Sequence, residues 1–226
     1  MKLPPYFSHL VKFALHYHQI EKSIDCGLVG HHEPSSNRIG KHLLMKSTPT
    51  DIPEILVIEP KYFSDSRGFF MESFNLESYA NAGINTTFIQ DNHSGSRKGV
   101  LRGLHYQIKH PQGKLVNVIK GEVYDVVVDI RKSSPHFGKH LGIILSEENR
   151  KQLWVPPGFA HGFYVLSDWA EFIYKVTDIY APEWERTIAW NDPVLNIDWP
   201  INHDVGVIVS EKDAQGKKFS EADVYP

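Results

Sequence analysis

The sequence predicts an all-β sandwich or barrel with a few short helices, on three observations. From Asp51 onward the apolar runs are short and are separated by Gly, Pro, Asn and Asp, the punctuation of strands joined by turns. Residues 122–130 alternate with a period of two: Tyr124, Val126, Val128 and Ile130 fall on one face and Val123, Asp125, Val127 and Asp129 on the other. One face is expected to pack and the other to be mixed. The strands number about eleven, more than one open sheet holds comfortably, so two packed sheets or a closed barrel is the better architecture.

In chain order the strands are expected at 55–58, 69–74, 87–91, 100–107, 115–119, 122–130, 141–145, 152–155, 161–165, 171–178 and 187–190. Residues 76–81, followed by Gly83, read as a short helix. The first 50 residues differ from the rest: they hold six of the 13 histidines, and six basic against three acidic side chains leave them at +3. Leu10, Phe13, Ala14 and Tyr17 have helical spacing, and the polar stretch 33–41 reads as a linker. His16, His18, His31 and His32 have no carboxylate or thiol framework at ligand spacing, so no metal site is expected there. The run beginning at Met45 looks like a natural protein start. Residues 1–44 are therefore expected to be a poorly ordered extension that folding does not need, and residues 45–226 a single domain.

The whole chain has 226 residues, 24 basic and 27 acidic side chains and a net charge of -3, a balance that does not suggest nucleic-acid binding. With 41% hydrophobic and 23% charged residues it can build a substantial core and is not of disordered composition. The lone Cys26 excludes an intramolecular disulfide and a cysteine-rich zinc site and fits a reducing compartment, so a cytoplasmic location is expected. No apolar run approaches the length of a membrane span, and Pro4, Pro5, His9, Lys12 and His16 interrupt any signal-peptide core.

The loops that hold nucleotide phosphates, the G-x-S-x-G nucleophile elbow and the helical H-E-x-x-H are all missing. What remains is a concentration of ionisable residues inside strand-like segments. In 101–107, alternation puts Gly103, His105 and Gln107 on one face and Arg102, Leu104 and Tyr106 on the other, with Gly103 leaving space for a ligand beside His105. Lys114 opens an apolar strand and, taken alone, is consistent with a snorkelling edge lysine. His161 enters a strand after the turn at Pro156, Pro157 and Gly158, which places it near a mouth. Tyr174 shares a face with Phe172 and Val176 and, taken alone, fits a core position.

Together these segments resemble the dTDP-4-dehydrorhamnose 3,5-epimerase family over Met45 to Asp213, about three quarters of the chain. The resemblance runs through Asp65 to Ser73, Gln90 to Ser94, Leu101 to Gln107, Gln112-Gly113-Lys114, Gly121 to Arg131, Trp154 to Phe163, Trp190-Asn191-Asp192 and Glu211 to Ala214. It implies a cupin-like jelly roll and an isomerase that works without metal or redox cofactor. The implied substrate is dTDP-4-dehydro-6-deoxy-D-glucose, inverted at C3 and C5 in dTDP-L-rhamnose biosynthesis for cell-surface glycans such as lipopolysaccharide O-antigen. By the same resemblance His105 is the base, Asp213 its partner, Tyr174 the proton donor and Lys114 the group at the enolate oxygen. Arg67, Glu72, Gln90, Asn92, Arg102, Lys114, His161, Glu185 and Lys212 match substrate-binding positions. The resemblance further implies a homodimer in which Arg67 and Glu72 complete the neighbouring subunit's pocket.

One departure stands out. Family members often carry an aromatic five residues after the proton donor, where this chain has Ile179 followed by Tyr180. Altered aromatic packing there would fit a single-position epimerase, which is the nearest alternative. A metal-dependent cupin needs about three grouped histidines and a carboxylate, a grouping that His105 and His110 do not begin. A non-catalytic sugar-nucleotide binder would have no need of His105, Asp213, Tyr174 and Lys114 together.

Overall fold

The hydrophobic pattern resolves into two antiparallel sheets in the computed structural model, which describes residues 45–226. The expected extension at 1–44, with its helix, linker and histidines, lies outside the described residues. In chain order the strands are β1 Lys46–Pro49, β2 Leu56–Glu59, β3 Tyr62–Asp65, β4 Gly68–Met71, β5 Gln90–Arg97, β6 Leu101–Gln107 and β7 Lys114–Lys120. They continue as β8 Glu122–Asp129, β9 His140–Ser146, β10 Gln152–Val155, β11 Phe159–Val165, β12 Trp169–Val176 and β13 Glu185–Thr187. Two short helices accompany them, α1 Leu76–Asn81 and α2 Glu211–Ala214. The first sheet runs β1-β2-β10-β7-β12-β5, the second β13-β6-β11-β8-β9, and β3 and β4 form a separate hairpin.

The core between the sheets takes Val116 and Val118 from β7, Leu153 and Val155 from β10 and Phe172 from β12. Facing them are Val123 and Val127 of β8, Leu145 of β9, and Phe159 and Phe163 of β11. Phe163 and Phe172 stack across the gap with ring centroids 4.5 Å apart, an arrangement that adds a directional contact to the burial.

The alternation in β8 is as predicted: the face of Val123 and Val127 is mixed, carrying the buried Asp125 and Asp129, and the opposite face packs. Val126, Val128 and Ile130 are completely buried beneath a second layer formed by Ile188, Leu195, Trp199 and Phe219 from the C-terminal segment. That segment has almost no regular structure of its own, so its apolar residues gave no periodic signal. On the outer face of the six-stranded sheet, α1 places Tyr79 against Ile58, Leu115 and Trp154. Its start is fixed by Asn75, whose side chain accepts from the Ser78 amide, a standard N-cap contact.

Strand pairing then determines what meets inside. His105 on β6 lies opposite His161 on β11 and opposite Thr187 on β13. Tyr174 on β12 lies between Asn92 of β5 and Val116 of β7. Lys114 opens β7, which runs between β10 and β12. It is therefore at the centre of a sheet and not at an edge, contrary to the reading of Lys114 taken alone.

Candidate active site

At one end the apolar filling between the sheets gives way to polar side chains around a cavity of about 350 Å³, within the range of small-molecule sites. His105, Lys114, Tyr174, Gln90, Asn92, Arg102, His161, Glu185 and Lys212 all line it. Asp213 stands behind His105, its carboxylate oxygen Oδ1 hydrogen-bonded to His105 Nε2. The Asp213 side chain is 4% exposed and the imidazole 25% exposed, so the histidine faces the cavity and the aspartate does not. Helix α2 sets Asp213 in place: Ser210 caps it and accepts from the Asp213 amide at 3.2 Å.

Burial alone would raise the Asp213 carboxyl, but the hydrogen bond and charge of His105, with Ser210 and Lys212, hold it below its usual value. It is thus an anion wherever the protein is folded near neutral pH, and it accepts from the imidazole. That leaves Nδ1 as the ring nitrogen presented to the cavity.

Lys114 extends from the opposite sheet and donates from Nζ to the His105 carbonyl oxygen at 3.3 Å. Burial pushes its ammonium down to about 8, against the pull of Asp125 and Glu185 and with a contribution from Lys212. Tyr174 packs against the core and lines the cavity at the same time. Its phenol is pushed up by burial and by Glu185, against the opposing charge of Arg102, so it holds its proton. His105 and Tyr174 belong to different sheets and so to opposite walls of the cavity.

Around this centre, Arg102 donates from Nε to Ser96 Oγ at 3.1 Å, and Gln90 donates from Nε2 to Asn92 Oδ1 at 2.8 Å. Glu185 accepts from Lys212 Nζ and from the Tyr180 hydroxyl, each at 2.9 Å. Its carboxyl is lowered: burial would raise it, and the Lys212 and Tyr180 hydrogen bonds outweigh that.

Strict alternation fails at one point. Arg102 reaches the same cavity as His105 because the β6–β11 register shifts between His161 and Phe163. The cause is Gly103, with φ of +131°, where an added Cβ would lie 2.5 Å from the Gly162 Cα. The space beside Gly103 is filled by the neighbouring strand and not by a ligand, a correction to the sequence reading.

Arg67 and Glu72 are not at the cavity. Arg67 pairs with Asp65 at 2.6 Å on the exposed β3–β4 hairpin, and Glu72 accepts from Asn75 Nδ2 at 3.3 Å. The aromatic expected near position 179 is supplied one residue later: Ile179 points outward, 56% exposed, and Tyr180 lines the cavity. Sequence reasoning also missed Asp125, which is completely buried next to His161, with both oxygens 2.9 Å from His161 Nε2. The signal was an acid between two valines on the inner face of β8. Among the described residues, no three His, Cys, Asp or Glu side chains are grouped as metal ligands, and no helix is long and apolar enough to cross a membrane.

A family model described as dTDP-4-dehydrorhamnose 3,5-epimerase matches residues 49–221. This chain belongs to that family. It is 56% identical to the dTDP-4-dehydrorhamnose 3,5-epimerase of Pseudomonas aeruginosa over 183 residues, 80% of this chain and 100% of the relative. Among solved structures, a dTDP-6-deoxy-D-glucose-3,5-epimerase from Legionella pneumophila in complex with dTDP-4-keto-L-rhamnose is 54% identical. The match covers 79% of this chain and 95% of that one, with a TM-score of 0.77. A 3'-monoepimerase from Streptomyces bikiniensis in complex with dTDP-quinovose is 33% identical over 76% of this chain and 87% of that one, with a TM-score of 0.71. The fold is thus the jelly roll of the 3,5-epimerases, and the chain is an isomerase of that family.

Proposed function

We propose that this protein inverts C3 and C5 of dTDP-4-dehydro-6-deoxy-D-glucose, giving dTDP-4-dehydro-L-rhamnose, by proton exchange through an enolate. The observation that carries this reading is the placement of a histidine–aspartate pair and a protonated phenol on opposite walls of one cavity, with a buried ammonium beside them. The two carbons flank the C4 ketone, and a carbonyl acidifies its α-hydrogens because the carbanion delocalises onto oxygen. His105 takes the proton through Nδ1, and Asp213 stabilises the imidazolium that forms. Lys114 stabilises the enolate oxygen. Tyr174 returns a proton from the opposite face, which is what turns exchange into inversion.

Arg102 and Lys212 supply cationic donors for the diphosphate, and Gln90, Asn92, His161 and Glu185 supply partners for thymine and sugar hydroxyls. No cofactor takes part. The double inversion is preferred over a single one because identity to the two 3,5-epimerases is 54–56% against 33% to the 3'-monoepimerase, and because Tyr180 supplies the aromatic that Ile179 does not. Residues 45–226 act as the catalytic domain and 1–44 as an extension dispensable for folding, in a cytoplasmic homodimer that binds neither nucleic acid nor membrane. The exposed hairpin supports the dimer: Phe69 and Phe70 are 60% and 71% exposed on the element that carries Arg67, so that Arg67 and Glu72 of each subunit serve the partner's cavity.

The test is product stereochemistry. After incubation with the substrate, hydride reduction of the C4 ketone and release of the sugar, double inversion yields rhamnose and 6-deoxytalose of the L series. Recovery of D-quinovose and D-fucose alone would overturn the proposal.

A further inference from the structure

Asp125 has no part in the chemistry described so far, and its surroundings are unusual for a structural residue. It sits on the inner face of β8 between Val123 and Val127, both of which belong to the core between the sheets. Its side chain is fully buried, and a carboxylate sealed from water persists only beside donors or positive charge. His161 is one such neighbour, with Nε2 2.9 Å from both oxygens; burial raises the Asp125 carboxyl, and His161 and then Lys114, brought in from the facing sheet, oppose that rise. Both belong to the cavity wall.

Lys114 has the converse difficulty, because burial drives an ammonium toward its neutral form. Facing it are Asp125 on β8 and Glu185 on β13, which favour its charge, and Lys212 on α2, which opposes it; His105, His161 and Tyr174 share the same cavity. Glu185 is already engaged by Lys212 and Tyr180. Asp125 is the carboxylate that remains.

We propose that Asp125 is a positioning residue for enolate stabilisation: anchored by His161, it is the buried counter-charge that keeps Lys114 an ammonium inside the site. The inference rests on the epimerase reading, in which Lys114 meets the enolate oxygen. Asp125 touches no substrate and acts through Lys114.

The experiment is kcat and KM as functions of pH for the wild type, Asp125→Asn, Lys114→Met and the double variant, with melting curves to establish folding. Asp125→Asn should lower kcat about 10²-fold with little change in KM, the low end of the cost of losing an oxyanion group, and move the alkaline limb of kcat down by about one pH unit. The double variant should be no slower than Lys114→Met alone, since the two residues act as a unit. An unmoved limb in a folded Asp125→Asn protein, or losses that multiply in the double variant, would overturn the inference. Should Asp125→Asn fail to fold, Asp125→Glu gives the second reading: the charge is kept, so the limb stays within about half a pH unit of wild type, and a limb lowered by about one unit counts equally against the inference. A wild-type protein without turnover would instead remove the epimerase reading itself.

Discussion

Replacing Asp213 by Asn removes a charge and changes almost nothing in size, which makes the cost calculable from the site. Asp213 is 4% exposed and its partner imidazole 25% exposed, so water screens the pair poorly. Two unit charges about 4 Å apart at an effective dielectric constant of about 20 attract by about 4 kcal/mol. That attraction exists only after His105 has taken a proton, so it stabilises the developing imidazolium and not the ground state. At about 1.4 kcal/mol per tenfold, it corresponds to roughly 10³ in kcat. The amide can also donate to Nε2, which moves the ring proton to Nδ1 and leaves no base facing the cavity, so the loss should extend toward about 10⁴. KM should change little. The assay is the rate of solvent deuterium entry at the sugar carbons under saturating substrate. A kcat within about tenfold of wild type in a folded Asp213→Asn protein would refute the dyad argument.

The alkaline side of the pH profile should report Lys114. Activity requires its charged form, so this limb is intact on the acid side of about 8 and kcat falls as pH rises through it, and Lys114→Met should lose that limb along with about 10² to 10³ in kcat. Tyr174→Phe should separate exchange from inversion: deuterium still enters from the His105 side with configuration retained, while inversion falls by about 10² or more. Equal loss of both would place the proton donor elsewhere. Away from the site, Asp129 is fully buried and held by Arg131 Nη2 at 2.6 Å and by Ser134 Oγ at 2.6 Å. Arg131→Ala strands that carboxylate and should cost about 3 kcal/mol in a urea melt; a change below about 1 kcal/mol would show that Ser134 and backbone donors suffice.

What the sequence made legible follows from which signals are local. Two-residue alternation marks β8 and β12 clearly, and the run Leu76 to Asn81 closed by Gly83 marks α1, because these depend on neighbours in the chain. That the Val126 and Val128 face of β8 packs was legible, but what covers it was not, since that layer comes from an aperiodic segment around Leu195, Trp199 and Phe219. Strand β3 was missed because Tyr62 to Asp65 is exposed throughout and carries no inside–outside pattern. At the site, His105 and Asp213 lie 108 residues apart, and only the family resemblance connected them. Lys114 looked like an edge residue because strand order is invisible in one strand's sequence. Gly103 was recognised as special for the wrong reason: what needs the room is Gly162 on the adjoining strand. Asp125 was visible as an acid among valines, yet its meaning depends on β11 and β7, which bring His161 and Lys114 to it.

Proton exchange at two carbons by one base is the step on which the proposed chemistry most directly depends. Purified protein is incubated with dTDP-4-dehydro-6-deoxy-D-glucose in deuterated water, and the C3 and C5 proton signals are followed by NMR beside a His105→Ala variant. Loss of both signals in the wild type and of neither in the variant is the predicted result. Exchange at a single carbon, or exchange at both that survives in His105→Ala, would contradict it.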